Sequence, residues 1–168
     1  MINPTVVFSH GQESGPWGTK IKAMSREVQS LGFEVESVDY QGITDPSERV
    51  KKLENFCSKL EKSPVLIGSS MGGYVATVAA MNVSAIGLFV LAPAYFIPGY
   101  EDLMPTPPKI PIAIVHGWRD DVVPVSNSIR FASDCCAELH IVDGDHRLTS
   151  NIKEINFFLI NFLKRIVG

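Results

Sequence analysis

Cysteine is scarce here, with three residues, Cys57, Cys135 and Cys136, among 168. An odd number with two adjacent is no disulfide framework, and no C-x-x-C spacing offers a metal or redox pair. Positive charge is not in excess either. Lys and Arg total 15 against 18 Asp and Glu, a net charge of -3, which argues against the basic face of a nucleic-acid binder. No window approaches the roughly 18 uninterrupted apolar residues that a membrane helix needs, so no membrane span is expected. Met1-Ile2-Asn3-Pro4-Thr5 has no basic segment and no long apolar core, so no secretory leader is expected. There is no H-E-x-x-H pair, no clustered His/Cys ligand set and no dinucleotide fingerprint after the first strand. Gly15-Pro16-Trp17-Gly18-Thr19-Lys20 has the wrong glycine spacing for a phosphate loop, and its Lys follows the Thr. The expectation is a reduced, cytoplasmic protein without metal or cofactor.

What is present is an ordinary globular mixture, 45% apolar and 20% charged, enough for one domain over residues 1–168. Short runs rich in β-branched residues alternate with amphipathic stretches. Strands are expected at Val6–Phe8, Val35–Tyr40, Pro64–Gly68, Ile86–Leu91, Ile110–Val115 and Leu139–Val142. The first helix places Ile21, Met24, Val28 and Leu31 on one face and stops at Gly32. The second opens at Asp45-Pro46, with Glu48 completing a capping box, and carries the stripe Val50, Leu53, Phe56, Leu60. Helices follow over Met71–Met81 and Val125–Ser133, and a last one over Asn151–Ile166 with Ser150 as its cap. Ala92–Lys109, with five prolines, is too proline-rich for regular structure and reads as a loop over one end of the sheet. Six strands with five helical crossovers and a closing sixth helix predict an α/β fold: a mostly parallel sheet with helices on both faces, a three-layer sandwich.

Gly68-Ser69-Ser70-Met71-Gly72 matches G-x-S-x-G at a strand-to-helix junction. A nucleophile elbow needs that setting, because the sharp turn lifts one serine alone above the sheet. Glycines two before and two after remove side chains that would clash in so tight a turn. The serine then sits at a helix N-terminus, whose free N–H groups favour an oxyanion. Ser70 is the candidate nucleophile, and an aspartate nucleophile is excluded.

A serine needs a base. Of four histidines, His10, His116 and His146 follow the carboxyl ends of strands, where reactive groups of open α/β sheets gather. His140 lies inside the sixth strand. With an elbow serine the order along the chain is Ser, acid, His, and only His146 leaves room for an acid after Ser70. Asp120, in the loop after the fifth strand, is the preferred acid and Asp121 its rival. Asp143 and Asp145 read as turn residues that set the backbone. The oxyanion donors expected are the N–H groups of Met71, directly after the nucleophile, and of Gln12, in the loop after the first strand. His10 reads as a structural anchor for that loop.

These residues together resemble the α/β-hydrolase superfamily. The resemblance rests on Ser9-His10-Gly11-Gln12, Gly68-Ser69-Ser70-Met71-Gly72, His116-Gly117-Trp118-Arg119-Asp120-Asp121-Val122-Val123-Pro124 and Gly144-Asp145-His146. The third is similar to the superfamily's H-G-x-x-D-x-x-V-P and places the acid at Asp120. The nearest likeness is to small lidless bacterial serine hydrolases related to carboxylesterases and acyl thioesterases. It implies that the superfamily's first two strands are missing, that the remaining strand order is 2-1-3-4-5-6, and that the cap domain is reduced to Ala92–Lys109. Tyr95, Phe96, Ile97, Trp118, Pro16 and Trp17 are candidates to line an open apolar site. The expected activity is cleavage of an ester or thioester, on a small molecule or an acyl group carried by a larger one. A peptidase or amidase on the same residues, and a non-catalytic binding module, are the rival readings.

Overall fold

The computed structural model describes residues 3–99 and 105–168. In chain order the elements are β1 Thr5–Ser9, α1 Thr19–Ser30, β2 Glu34–Val38, α2 Pro46–Cys57, β3 Val65–Ser69 and α3 Met71–Ala79. Then come β4 Gly87–Leu91, β5 Ile112–Gly117, α4 Val125–Cys135, β6 Glu138–Val142 and α5 Ile152–Val167, the last preceded by a 3-10 turn at Thr149–Asn151. The sheet has six strands in the order β2-β1-β3-β4-β5-β6, and every pairing is parallel.

Alternation along each strand builds two cores. Leu66, Leu88 and Ile114 face α2, α3 and α4, meeting Leu53, Tyr74, Val75 and Phe131. Ile67, Phe89, Ala113 and Val115 face α1 and α5, meeting Met24, Val28, Leu159 and Phe162. Burial on both faces is why the central strands read as continuous apolar runs rather than alternating ones.

Three local expectations are corrected. The described part of the β4–β5 crossover holds no helix, so the described residues form five α-helices and not six. Its proline content leaves too few backbone donors for one; residues 100–104 of the Ala92–Lys109 loop lie outside the described residues. Asp45 caps α2 through Ser47 N at 2.9 Å, but Glu48 turns to Lys51 Nζ at 3.1 Å rather than back to close a capping box. Ser150 lies inside the 3-10 turn, and Asn151 occupies the N-terminal boundary of α5.

A parallel sheet puts all six carboxyl strand ends on one edge. The loops after β1, β3, β5 and β6 therefore converge there, and these four loops carry the motifs singled out above.

Candidate active site

Ser70 is the one-residue turn between β3 and α3, at φ 54° and ψ −121°. A non-glycine residue there is strained, and the surroundings hold it in place. Ser70 N donates to Leu91 O at 2.9 Å, and Ser70 O accepts from Gly73 N and Ala94 N at 3.0 Å each. The flanking glycines have a steric cause. A Cβ on Gly72 would overlap the Ser9 carbonyl, and one on Gly68 would overlap the Gly72 backbone. The turn therefore fits only where strand, helix and the end of β1 touch backbone to backbone.

The structure brings Ser70, His146 and Asp120 together. Ser70 Oγ lies 3.0 Å from His146 Nε2, and His146 Nδ1 lies 2.7 Å from Asp120 Oδ2. An ionised carboxylate only accepts, so Nδ1 carries the proton and Nε2 is left to accept from the serine hydroxyl. The Asp120 carboxylate is wholly buried, and His146 is mostly so. Burial alone would raise the Asp120 pKa. Hydrogen bonds from His116, His146, Val123 N and Val122 N outweigh it and hold the carboxyl well below the usual range. The two backbone donors reach Oδ1 at 2.8 and 2.9 Å. Asp120 is thus ionised, with its geometry fixed before any substrate arrives.

His116, like His10, is set aside by chain order. It is fully buried, and its Nε2 lies 3.0 Å from Asp120 Oδ2 and 2.9 Å from Val123 O. Both are acceptors, so Nε2 carries the proton and Nδ1 takes the Ser128 hydroxyl at 2.7 Å. A second imidazole therefore grips the acid from behind. The four-residue spacing to Asp120 across a tight loop was the signal that could have found it.

The remaining acids stand apart. Asp121 is exposed. Asp143 pairs with Arg119 at 2.7 Å on the surface. Asp145 Oδ1 accepts from Arg147 N and Leu148 N at 3.0 Å each, a turn built on its own side chain. His140 sits on the edge strand, stacked on Phe158 with ring centroids 3.8 Å apart and bonded to Glu138 at 2.6 Å.

Met71 opens α3, so its N–H has no carbonyl four residues back to meet. Gly11 lies against Ser70: a Cβ built on it would be 3.6 Å from Ser70 Cβ. Gln12 follows as an exposed loop residue. His10 is buried and accepts from Tyr40 N at 2.8 Å through Nε2, while Nδ1–H donates to Gly11 O at 2.7 Å. Burial pulls its pKa down, the Gly11 contact opposes this, and nearby Arg49 adds to the depression. His10 is a neutral anchor of the loop.

Of the residues expected to line the site, Tyr95 does not. It is fully buried, stacked on Phe131 at 4.2 Å, with its hydroxyl 2.7 Å from Thr77 Oγ1. Phe96 is half-buried beneath the Arg130 guanidinium at 4.2 Å. Trp17, Trp118 and Val122 are exposed, on the loops after β1 and β5. Lys20, which spacing did not mark, lies behind the elbow, its Nζ donating to Ser69 Oγ at 3.3 Å.

A groove of about 540 Å³ lies at the opposite, amino-terminal edge of the sheet, between Pro107–Ile112, Cys135–Glu138 and the end of α5, and does not touch Ser70. Among the described residues no group of three or more His, Cys, Asp or Glu is placed to hold a metal. No described helix is long and apolar enough to cross a membrane.

This geometry can be set beside known proteins. Residues 5–104 match the model of an uncharacterised protein family, UPF0227. No curated protein matches the chain. Among solved structures, one from Xanthomonas campestris pv. campestris, assigned to the alpha/beta hydrolase superfamily, superposes with a TM-score of 0.87 at 27% identity, covering 99% of this chain and 98% of that one. A second Xanthomonas campestris protein, described as an α/β serine hydrolase without lid, gives 0.80 at 17%, covering 96% and 81%. Est1E from Butyrivibrio proteoclasticus gives 0.76 at 18%, covering 96% and 88%. The latter two are likenesses of fold. With its matched family model, its strand order and these neighbours, the chain belongs to the uncharacterised protein family UPF0227 and to the α/β-hydrolase superfamily.

Proposed function

We propose that the chain is a serine hydrolase that cleaves carboxylic esters or thioesters through an acyl-enzyme. The observation that carries this reading is the unbroken run from Ser70 Oγ through His146 to the buried Asp120 carboxylate, with steps of 3.0 and 2.7 Å. In the proposed cycle Ser70 Oγ attacks the carbonyl carbon while His146 Nε2 takes its proton. The carbonyl oxygen becomes an oxyanion, met by the N–H groups of Met71 and Gln12. The tetrahedral intermediate collapses, and the alcohol or thiol leaves with the proton from His146. Water then repeats the sequence, and the carboxylic acid departs. Asp120 holds the imidazole in the required tautomer and stabilises its charged form.

The substrate side rests on exposed apolar residues. Trp17, Trp118 and Val122 expose apolar surface on the loops after β1 and β5, at the edge of the sheet that carries Ser70, which supports a hydrophobic acyl chain. A reduced, cytoplasmic setting is proposed on the free cysteines, none of them in a disulfide.

Fluorophosphonate labelling, read by intact mass and peptide mapping, tests the reading beside Ser70→Ala. One adduct on Ser70, lost in the variant, with turnover of an ester or thioester panel, is the expected result. An adduct with turnover only of matched amides would make the protein an amidase. No adduct on folded protein would overturn the reading in favour of a binding module.

A further inference from the structure

Arg49 is among the largest wholly buried side chains of the molecule, only 2% exposed, and the reaction scheme above does not use it. It lies in the first turn of α2, a helix fixed at its start by Asp45 and Pro46. Its guanidinium reaches out of that helix into two loops. Nε donates to Ile43 O at 2.7 Å. One terminal nitrogen donates to Gly11 O at 3.1 Å and to His10 O at 3.3 Å. The Tyr40 ring lies against it, 5.2 Å from centroid to guanidinium carbon. A planar fork of five N–H donors holds several carbonyls in one fixed geometry, whereas the three donors of a lysine ammonium turn on a flexible stem.

The carbonyl of Gly11 is the informative contact. It is held twice, by Arg49 and by His10 Nδ1–H at 2.7 Å. The described peptide bonds are all trans. In a trans peptide the N–H points opposite to the preceding C=O. Fixing Gly11 O toward Arg49 therefore fixes the N–H of Gln12 away from it. The face of Gly11 that a Cβ would occupy looks onto Ser70 Cβ at 3.6 Å. The same elbow holds the start of the loop, Gly72 of α3 packing directly on the Ser9 and His10 carbonyls. A charged donor on the carbonyl also polarises the peptide and makes its N–H a stronger donor.

We propose that Arg49 is a positioning residue that aims and polarises the Gly11–Gln12 peptide, so that the Gln12 N–H is set to receive the oxyanion. This rests on the reading of Ser70 as an acylated nucleophile. It assigns Arg49 no contact with substrate.

The test uses the full chain with Arg49→Met and Arg49→Lys, each first shown to be folded by circular dichroism and thermal unfolding. The rate of fluorophosphonate labelling at Ser70 is measured, together with inhibition by an alkyl trifluoromethyl ketone and kcat and KM for an ester. Losing an oxyanion donor outright costs about 10² to 10³ in rate, so a misaimed one is expected to slow Arg49→Met by about 10- to 100-fold. The loss falls in kcat and in affinity for the ketone, with KM little changed, and Arg49→Lys recovers part of it. A folded Arg49→Met that labels, turns over and binds the ketone as the parent does overturns the proposal. A second readout needs no activity. The ¹⁵N resonance of the Gln12 amide responds to hydrogen bonding at the preceding carbonyl. It is expected to shift in Arg49→Met and less in Arg49→Lys, and an unmoved resonance also overturns the proposal. If Arg49→Met does not fold, Arg49→Lys carries both readouts. A parent protein that does not label at Ser70 refutes the hydrolase reading instead, while the resonance still decides the aim of the peptide.

Discussion

His116 Nε2 lies 3.0 Å from Asp120 Oδ2, the same oxygen that His146 Nδ1 reaches at 2.7 Å. One carboxylate oxygen thus serves two imidazoles, one wholly inside the protein and one at the site. Only the outer one meets the serine.

Replacing His116 with Phe should raise the Asp120 pKa, because one of the hydrogen bonds that depress it is gone. The sign follows from linkage. A carboxyl depressed on folding contributes stability above its unfolded pKa and loses it as pH falls through the folded pKa. In His116→Phe the contribution is smaller at neutral pH and is exhausted at a higher pH, so the deficit of the variant is greatest near neutrality. Thermal unfolding followed from pH 7 down to pH 3 should show the deficit of the variant narrowing, the two curves converging as the pH drops. Parallel curves would mean that His116 does not hold the acid. At neutral pH the lost bond, with Ser128 left to find another partner, is expected to cost about 1–3 kcal/mol.

Asp120→Asn and Asp121→Asn separate the two neighbouring acids. The first should lower kcat by about 10⁴, since an amide at Oδ2 favours the wrong imidazole tautomer. The second, on an exposed side chain, should change kcat by less than about twofold. Steady-state hydrolysis of one activated ester decides it, and a reversed ranking would move the acid to Asp121.

Lys20→Met should stabilise the protein, and by an amount that depends on pH. Burial lowers the Lys20 pKa to about 8; Asp145 and Asp120 pull the other way and Arg147 adds to the depression. Below pH 8 the ammonium is charged in both folded and unfolded chains, so the burial cost is felt in full. Between pH 8 and the ordinary value of 10.5 the folded chain sheds its proton first, and the cost is relieved. The advantage of methionine is therefore greatest at pH 7 and shrinks toward pH 10. Scanning calorimetry at both values would read it, and a constant advantage would contradict the buried-cation account.

The thiols should differ sharply. Cys136 is exposed, whereas burial raises Cys57 to about 11. An aromatic disulfide reagent at pH 8 should modify Cys136 quickly and Cys57 only after denaturation. Since Cys136 ends α4 at the far edge of the sheet, hydrolysis should survive its modification. Rapid reaction of Cys57 in the native protein would show that α2 opens.

What could be read from the sequence follows the range of the forces involved. The strands rest on local spacing, and the structure places them within a residue or two of expectation; Ser70, Asp120 and His146 were singled out by loop context and chain order, and their side chains lie within hydrogen-bond distance in series. Tyr95 shows where such reading stops. An aromatic residue after a strand end suits a pocket wall and a core equally, and only Phe131 and Thr77, brought alongside by folding, decide for the core. Arg49 and Lys20 escaped for the same reason. Their partners, Gly11 and Ser69, lie 38 and 49 residues away. Nothing in the neighbouring sequence marks Arg49 as buried or Lys20 as partly so.

The all-parallel sheet has a consequence in time. Parallel neighbours cannot be joined by a hairpin, so no strand pairs with the next until the intervening crossover has been made. In a chain emerging from its amino end, β1 meets β2 first, and β3 then adds to the other side of β1. The bent peptide at Ser70 is secured when the Leu91 carbonyl arrives with β4. Asp120 and His146 come last, on the loops after β5 and β6. A nascent chain therefore carries a finished turn with an isolated hydroxyl, and Ser70 meets His146 only after β6 has joined the sheet.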